Sequence, residues 1–317
     1  MLIYVSDFPL FAQEKLEKQF LNWSELPQLP PAPGNSVQLG VAGPFAGISN
    51  DALIVAGGAN FPQPVWETEK KYYDQIYVLT KQQNLEGKID FSWENNFKLD
   101  FPVAYGASVT TPYGVVCMGG SDGKQVFSKV LLLNWNPAQN KIDIIYLPDL
   151  PLPYAYGYAT FIDNTIYLAG GQQELGLESA MKNFWALDLS EFEKSGVDNL
   201  KWQQLPAWPG PTRALNITVA QHNGETNCIY VISGRRSNQN GDMEFLRDVY
   251  EFNPTKYDPQ CFNPKTKGYS GHGRFANPWR KKADALLPVW YLYRRLPHSK
   301  TSRRVQAEKY SQTSNVR

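Results

Sequence analysis

Arg213, Arg235 and Arg236 are the side chains of this sequence best suited to holding a small anion. A guanidinium is a rigid fork of N–H donors that matches a carboxylate through two parallel bonds. Tyr105 and Tyr156 each add an aromatic face and a hydroxyl, fit to stack on or hydrogen-bond a sugar ring, and Asn60 adds an amide donor and acceptor. These residues share a position as well as a chemistry. Tyr105, Tyr156 and Arg213, with Phe45, stand just ahead of short apolar runs. Asn60, Ser121, Gln172 and the Arg235–Arg236 pair stand just after a run that ends in glycine. Solvated loop charge is the competing reading of Arg235 and Arg236. Glu174 follows a glycine pair and Glu244 lies three residues before Arg247. Neither is assigned proton transfer, so the catalytic residues stay open.

Other chemistries are poorly served. His222, His272 and His298 lack metal-ligand spacing, and Cys117, Cys228 and Cys261 form no Cys-x-x-Cys pair. No metal centre, disulfide framework or cofactor is expected, and Cys117 and Cys228 read as buried, inert thiols within apolar strands. Gly119-Gly-Ser-Asp-Gly123 follows a strand run but lacks the Gly-Lys-Ser/Thr ending and the helix of a phosphate loop. The net charge of +1 is unevenly spread: residues 290–317 hold seven Lys/Arg and one Glu, whereas residues 1–289 hold 24 basic and 29 acidic side chains. A mildly acidic body offers no basic face to nucleic acid. No apolar run reaches the roughly 18 residues of a transmembrane helix.

The elements that must position the candidate residues recur along the chain. Ala52-Leu-Ile-Val-Ala-Gly-Gly58, Gly114-Val-Val-Cys-Met-Gly-Gly120, Thr165-Ile-Tyr-Leu-Ala-Gly-Gly171 and Cys228-Ile-Tyr-Val-Ile-Ser-Gly234 occupy one register. Each is preceded by a short strand run, followed by a third (Gln75–Leu79, Lys129–Leu133, Phe184–Asp188, Asp248–Phe252), and separated from the next by an outer strand carrying Trp23, Trp93, Tyr146, Trp202 or Trp279. The closing glycines lie 62, 51 and 63 residues apart, so a common core carries loops of unequal length. Continuous apolar runs, rather than strict alternation, mean strands covered on both faces. The glycine pairs allow a tight turn and a close backbone approach, and the outer aromatic is expected to fill the space beside them. Four strands repeated about an axis predict an all-β propeller, which removes exposed sheet edges.

This pattern resembles Kelch repeats, and one branch of them more closely. Gly43-Pro-Phe-Ala-Gly-Ile-Ser-Asn-Asp-Ala-Leu-Ile-Val-Ala-Gly-Gly-Ala-Asn-Phe61 and Ala104-Tyr-Gly-Ala-Ser108 are similar to stretches of the bacterial N-acetylneuraminate mutarotase (epimerase) family. Phe161-Ile-Asp-Asn-Thr-Ile-Tyr-Leu168 and Pro211-Thr-Arg-Ala214 look like that family's usual opening blades, here placed second, as in its cyclically permuted branch. The resemblance covers roughly residues 20–289. It implies a six-bladed ring, of which this chain displays four blades and, in 277–289, the start of a fifth.

The resemblance also implies a sialic acid-like sugar acid as partner, contacted by Arg213, Arg235, Tyr105, Tyr156 and Asn60, and the interconversion of its anomers. The blade in which the family's Gly-Glu…Leu-Arg pair is expected is not seen, which puts turnover in doubt. The competing reading is a Kelch binding module without chemistry, engaging a glycan or a protein. Residues 1–19 read as a remnant of a signal peptide or as a loose terminus, giving a periplasmic expectation by family against a cytoplasmic one. Residues 290–317 read as a disordered basic tail, either natural or in place of further blades. Oligomeric state is not legible.

Overall fold

A computed structural model describes residues 25–38, 40–83, 87–257, 262–263, 268–269 and 279–281. The expectations for 1–19 and 290–317 fall outside these residues. Four four-stranded antiparallel sheets follow one another, each with its strands in chain order from first to fourth. Blade one is Phe45–Ser49, Ala52–Ala56, Gln75–Gln83 and Ile89–Lys98. Blade two is Ala107–Thr111, Gly114–Met118, Val130–Asn136 and Lys141–Leu147. Blade three is Tyr158–Ile162, Thr165–Ala169, Phe184–Asp188 and Gln203–Gln204. Blade four is Ile217–His222, Asn227–Ile232, Val249–Phe252 and Trp279–Lys281. Trp279–Lys281 thus completes blade four rather than opening a fifth; the rest of 277–289 lies outside the described residues.

The continuous apolar runs have the cause their pattern suggested. Val130 and Leu132 face blade three, packed with Ile166, Leu168, Trp185 and Leu187. Leu131 and Leu133, on the opposite face of the same strand, pack with Ile54, Ile76 and Val78 of blade one. A third core joins Tyr167, Phe184 and Ala186 of blade three to Ile229, Val231, Phe252 and Trp279 of blade four. Every core lies between consecutive blades, so each blade depends on its neighbours for burial. Cys117 and Cys228 are both buried within these strands.

The glycine pairs work differently from expectation. A Cβ on the first glycine would meet the backbone entering the next blade: Val103 O at 2.3 Å from Gly57, Tyr154 O at 2.1 Å from Gly119, and Arg213 O at 2.8 Å from Gly170. All three glycines have φ near +70°. The space beside them belongs to a neighbouring peptide, joined at Gly170 by the Asn216 amide, and not to the outer aromatic. The aromatics instead tie each blade to the stretch of chain ahead of its own first strand. Trp93 Nε1 donates to Pro27 O at 3.0 Å, Trp202 Nε1 to Pro148 O at 3.0 Å, and Trp279 Nε1 to Pro206 O at 2.7 Å. Tyr146 hydroxyl donates to the Asp100 carboxylate in the equivalent place.

Gly119→Ala should therefore destabilise the protein by roughly 2–4 kcal/mol, combining overpacking against a carbonyl with a strained φ. Gly224→Ala is the control, since Gly224 also has positive φ but nothing within 4 Å of its Cβ position. Urea midpoints that fall equally for both variants would refute this account.

Candidate functional site

One residue per blade, just ahead of the first strand, adopts left-handed backbone geometry: Gly43 (φ 61°), Tyr105 (63°), Tyr156 (55°) and Leu215 (55°). These residues are joined by a belt of peptide hydrogen bonds. Tyr105 N donates to Gly43 O at 2.7 Å, Tyr156 N to Tyr105 O at 2.8 Å, and Leu215 N to Tyr156 O at 2.5 Å. The preceding residues, Ala42, Ala104, Ala155 and Ala214, pair with the first residues after the glycines, Ala59, Ser121, Gln172 and Arg235. The two loop sets thus converge on one face of the blades, as their repeated positions in the sequence implied.

On that face the Tyr105 and Tyr156 rings stack, 4.8 Å between centroids and 17° between planes. Tyr72 meets Tyr105 edge-on at 6.2 Å. Burial first, then the neighbouring Tyr72 and Tyr105, pushes the Tyr156 hydroxyl up to about 12, so it keeps its proton at neutral pH. Lys70 Nζ stands 5.1 Å over the Tyr105 ring, 5.3 Å over Phe61, and 3.2 Å from the Tyr105 hydroxyl. Lys70 and Tyr72 escaped the sequence reading because their stretch, between the second and third strands of blade one, carries no strand pattern beyond the short pair Ala59–Asn60 with Lys71–Tyr72. The unusual length of that stretch was the available signal.

The arginines are placed otherwise. Arg213 is fully buried, and its fork is filled by Asp248: Nη1 to Oδ1 at 2.8 Å and Nη2 to Oδ2 at 3.1 Å, with Nη1 also donating to Ser233 O at 2.8 Å. Its guanidinium packs against the Trp208 and Tyr250 rings, 5.2 and 5.3 Å from their centroids. Tyr250 hydroxyl donates to Asp248 Oδ2 at 2.9 Å. Arg213 therefore stands beneath the mouth as a support. Arg236 Nε pairs with Glu244 Oε2 at 2.6 Å across a hairpin of Arg235–Ser237 with Met243–Phe245. Arg235 lies half-buried over the Phe245 ring at 5.4 Å, with Nη1 3.8 Å from the Met243 sulfur. Asn60 is engaged at both ends, donating to Gly40 O at 2.6 Å and accepting from the Tyr73 hydroxyl at 2.6 Å. Of the residues singled out from sequence, Tyr105 and Tyr156 come into contact, while Asn60 spends its amide and Arg213 its two terminal nitrogens on the scaffold.

The Arg213–Asp248 pair has a pH signature. Burial alone would raise the Asp248 carboxyl, but the hydrogen bonds and charge of Arg213 outweigh it and hold the group below the ordinary carboxylate range. A depressed folded-state value gives stability that is present above the unfolded value of about 3.9 and is lost as pH falls through the folded one. Arg213→Met should cost about 3–5 kcal/mol by stranding a carboxylate. Asp248→Asn should flatten the acid limb of the stability–pH profile below about pH 4; an unchanged limb in urea titrations would rule the pair out as its source.

Comparison with known proteins adds to this geometry. A sequence model of the N-acetylneuraminate epimerase family matches residues 9–142 and 147–272. The N-acetylneuraminate epimerase of Yersinia enterocolitica is 38% identical over 128 residues, 39% of this chain and 32% of that protein. That of Salmonella typhi is 38% identical over 106 residues, 33% of this chain and 28% of the relative. The chain thus matches about a third of the length of these curated relatives. The solved structure of YjhT superposes with a TM-score of 0.51 at 14% identity, covering 73% of this chain and 71% of that one, a likeness of β-propeller fold. With most of its length matched by the family's own sequence model, the chain belongs to the N-acetylneuraminate epimerase family.

Proposed function

We propose that this chain acts on a sialic acid-type sugar acid as a mutarotase of the isomerase class, interconverting its anomers at the mouth of the propeller. The observation that carries the reading is the stacked Tyr105–Tyr156 pair, with the Tyr156 hydroxyl keeping its proton, on the face where the loops of all four blades meet, in a chain of this family. Sugar rings bind to such combinations of aromatic surface and hydroxyl donors. Arg235, on the blade-four side of the same face, is assigned a contact with the sugar's hydroxyls; Arg213 and Asn60 are assigned to holding the loops in place.

The reaction needs little beyond proton movement. A base takes the anomeric hydroxyl proton, the ring C–O bond breaks as the ring oxygen is protonated, and an open-chain ketone results. Rotation and the reverse steps close the ring on the other face. A positioned acid–base group is typically worth ~10²–10⁴-fold in rate. One observation favours the second reading, recognition without turnover: the carboxylates that touch Arg213 and Arg236, Asp248 and Glu244, are both spent on ion pairs.

Proton NMR of freshly dissolved N-acetylneuraminate separates the two. Acceleration of α-to-β conversion by the protein, lowered at least tenfold in Tyr156→Ala (about 1.4 kcal/mol), is the expected result for the mutarotase. Saturation transfer to the sugar without acceleration supports the binding module. Neither effect, from a folded sample, overturns the proposal.

A further inference from the structure

We infer that Lys70 is the anchor for the acid's carboxylate and makes the mouth select acidic over neutral sugars; this rests on the sugar-acid reading above. The cations of this face differ in what they have left to offer. Arg213 and Arg236 are neutralised by Asp248 and Glu244. Arg235 leans over Phe245 and toward Met243, residues that are 63% and 51% exposed across its hairpin. Lys70 has no carboxylate partner among the described residues.

Lys70 is also held where an anchor is needed. Its ammonium lies over the rings of Phe61 and Tyr105 and at 3.2 Å from the Tyr105 hydroxyl, hence beside the tyrosine stack itself. Ring faces attract a cation through their quadrupoles and leave its net charge uncancelled. An ammonium has three donors. One serves the Tyr105 hydroxyl, and two remain for a carboxylate whose sugar ring lies along Tyr105 and Tyr156. Phe61, whose ring lies under the ammonium, is 43% exposed, so apolar surface borders the anchor. That border suits the acyl methyl of an acylated amino sugar.

The test compares N-acetylneuraminate with its uncharged methyl ester on the wild-type chain, Lys70→Met and Lys70→Arg, by NMR titration at two ionic strengths. The acid should bind wild type about tenfold more tightly than the ester, a preference that falls with salt because the group is exposed. Lys70→Met should equalise the two ligands while still binding the ester, and Lys70→Arg should restore the preference. If Lys70→Met discriminates as wild type does, the anchor is refuted and the sugar-acid reading stands. If neither ligand binds folded wild type, that reading falls and the anchor with it.

Discussion

The spacing between blades is set where a peptide carbonyl crosses a glycine. At Gly57, Gly119 and Gly170 the backbone entering the next blade passes so close that no Cβ fits. That contact brings the two apolar faces together at the distance their side chains fill. It also lets the first strands of adjacent blades share polar contacts: Ala46 N and O bond Ser108 Oγ, and Ala220 N bonds Thr160 Oγ1. The hydroxyls serve the neighbouring strand's free backbone groups, which would otherwise stand unpaired beside the axis.

The same close approach decides what the mouth contains. With the entering loops drawn against the glycine turns, their left-handed residues line up and their side chains gather, which is how two tyrosines 51 residues apart come to stack. The arginine in the corresponding loop of blade four lies two residues earlier, on the buried side of the turn, and is sealed there by Asp248. A displacement of two residues separates a ring set on this face from a guanidinium that clamps a loop.

Much of this was legible in the sequence because it repeats. Four glycine-terminated runs fixed the strand order, and their unbroken apolar character identified sheets buried on both faces. The positions of Tyr105 and Tyr156 ahead of those runs located the mouth. What was not legible depends on pairs rather than repeats. Asp248 lies 35 residues beyond Arg213 and occupies the place of Gln75 and Lys129 in the other blades, whose carbonyls accept from Gly57 and Gly119 as that of Asp248 does from Ser233. Only the register of the third strand reveals it as a partner. Lys70 and Phe61 sit in a loop without periodicity, where no pattern indicates which side chains turn inward. The outer aromatics were recognised but misassigned, because a bond from an indole N–H to a prolyl carbonyl tens of residues earlier leaves no trace in local sequence.

The belt of peptide bonds through Gly43, Tyr105, Tyr156 and Leu215 joins backbone to backbone, so it does not depend on what side chain each position bears. The present occupants, a hydrogen atom, two phenols and an isobutyl group, already span most of the available range. A left-handed position disfavours branched side chains but tolerates others at modest expense. At Tyr105, Tyr156 and Leu215 the lining of this mouth is thus interchangeable without touching its framework, whereas a Cβ at Gly43 would collide with the Tyr105 ring. A lineage, or an engineer, is free to rewrite the surface that this face presents at three sites while the scaffold that spaces them stays the same.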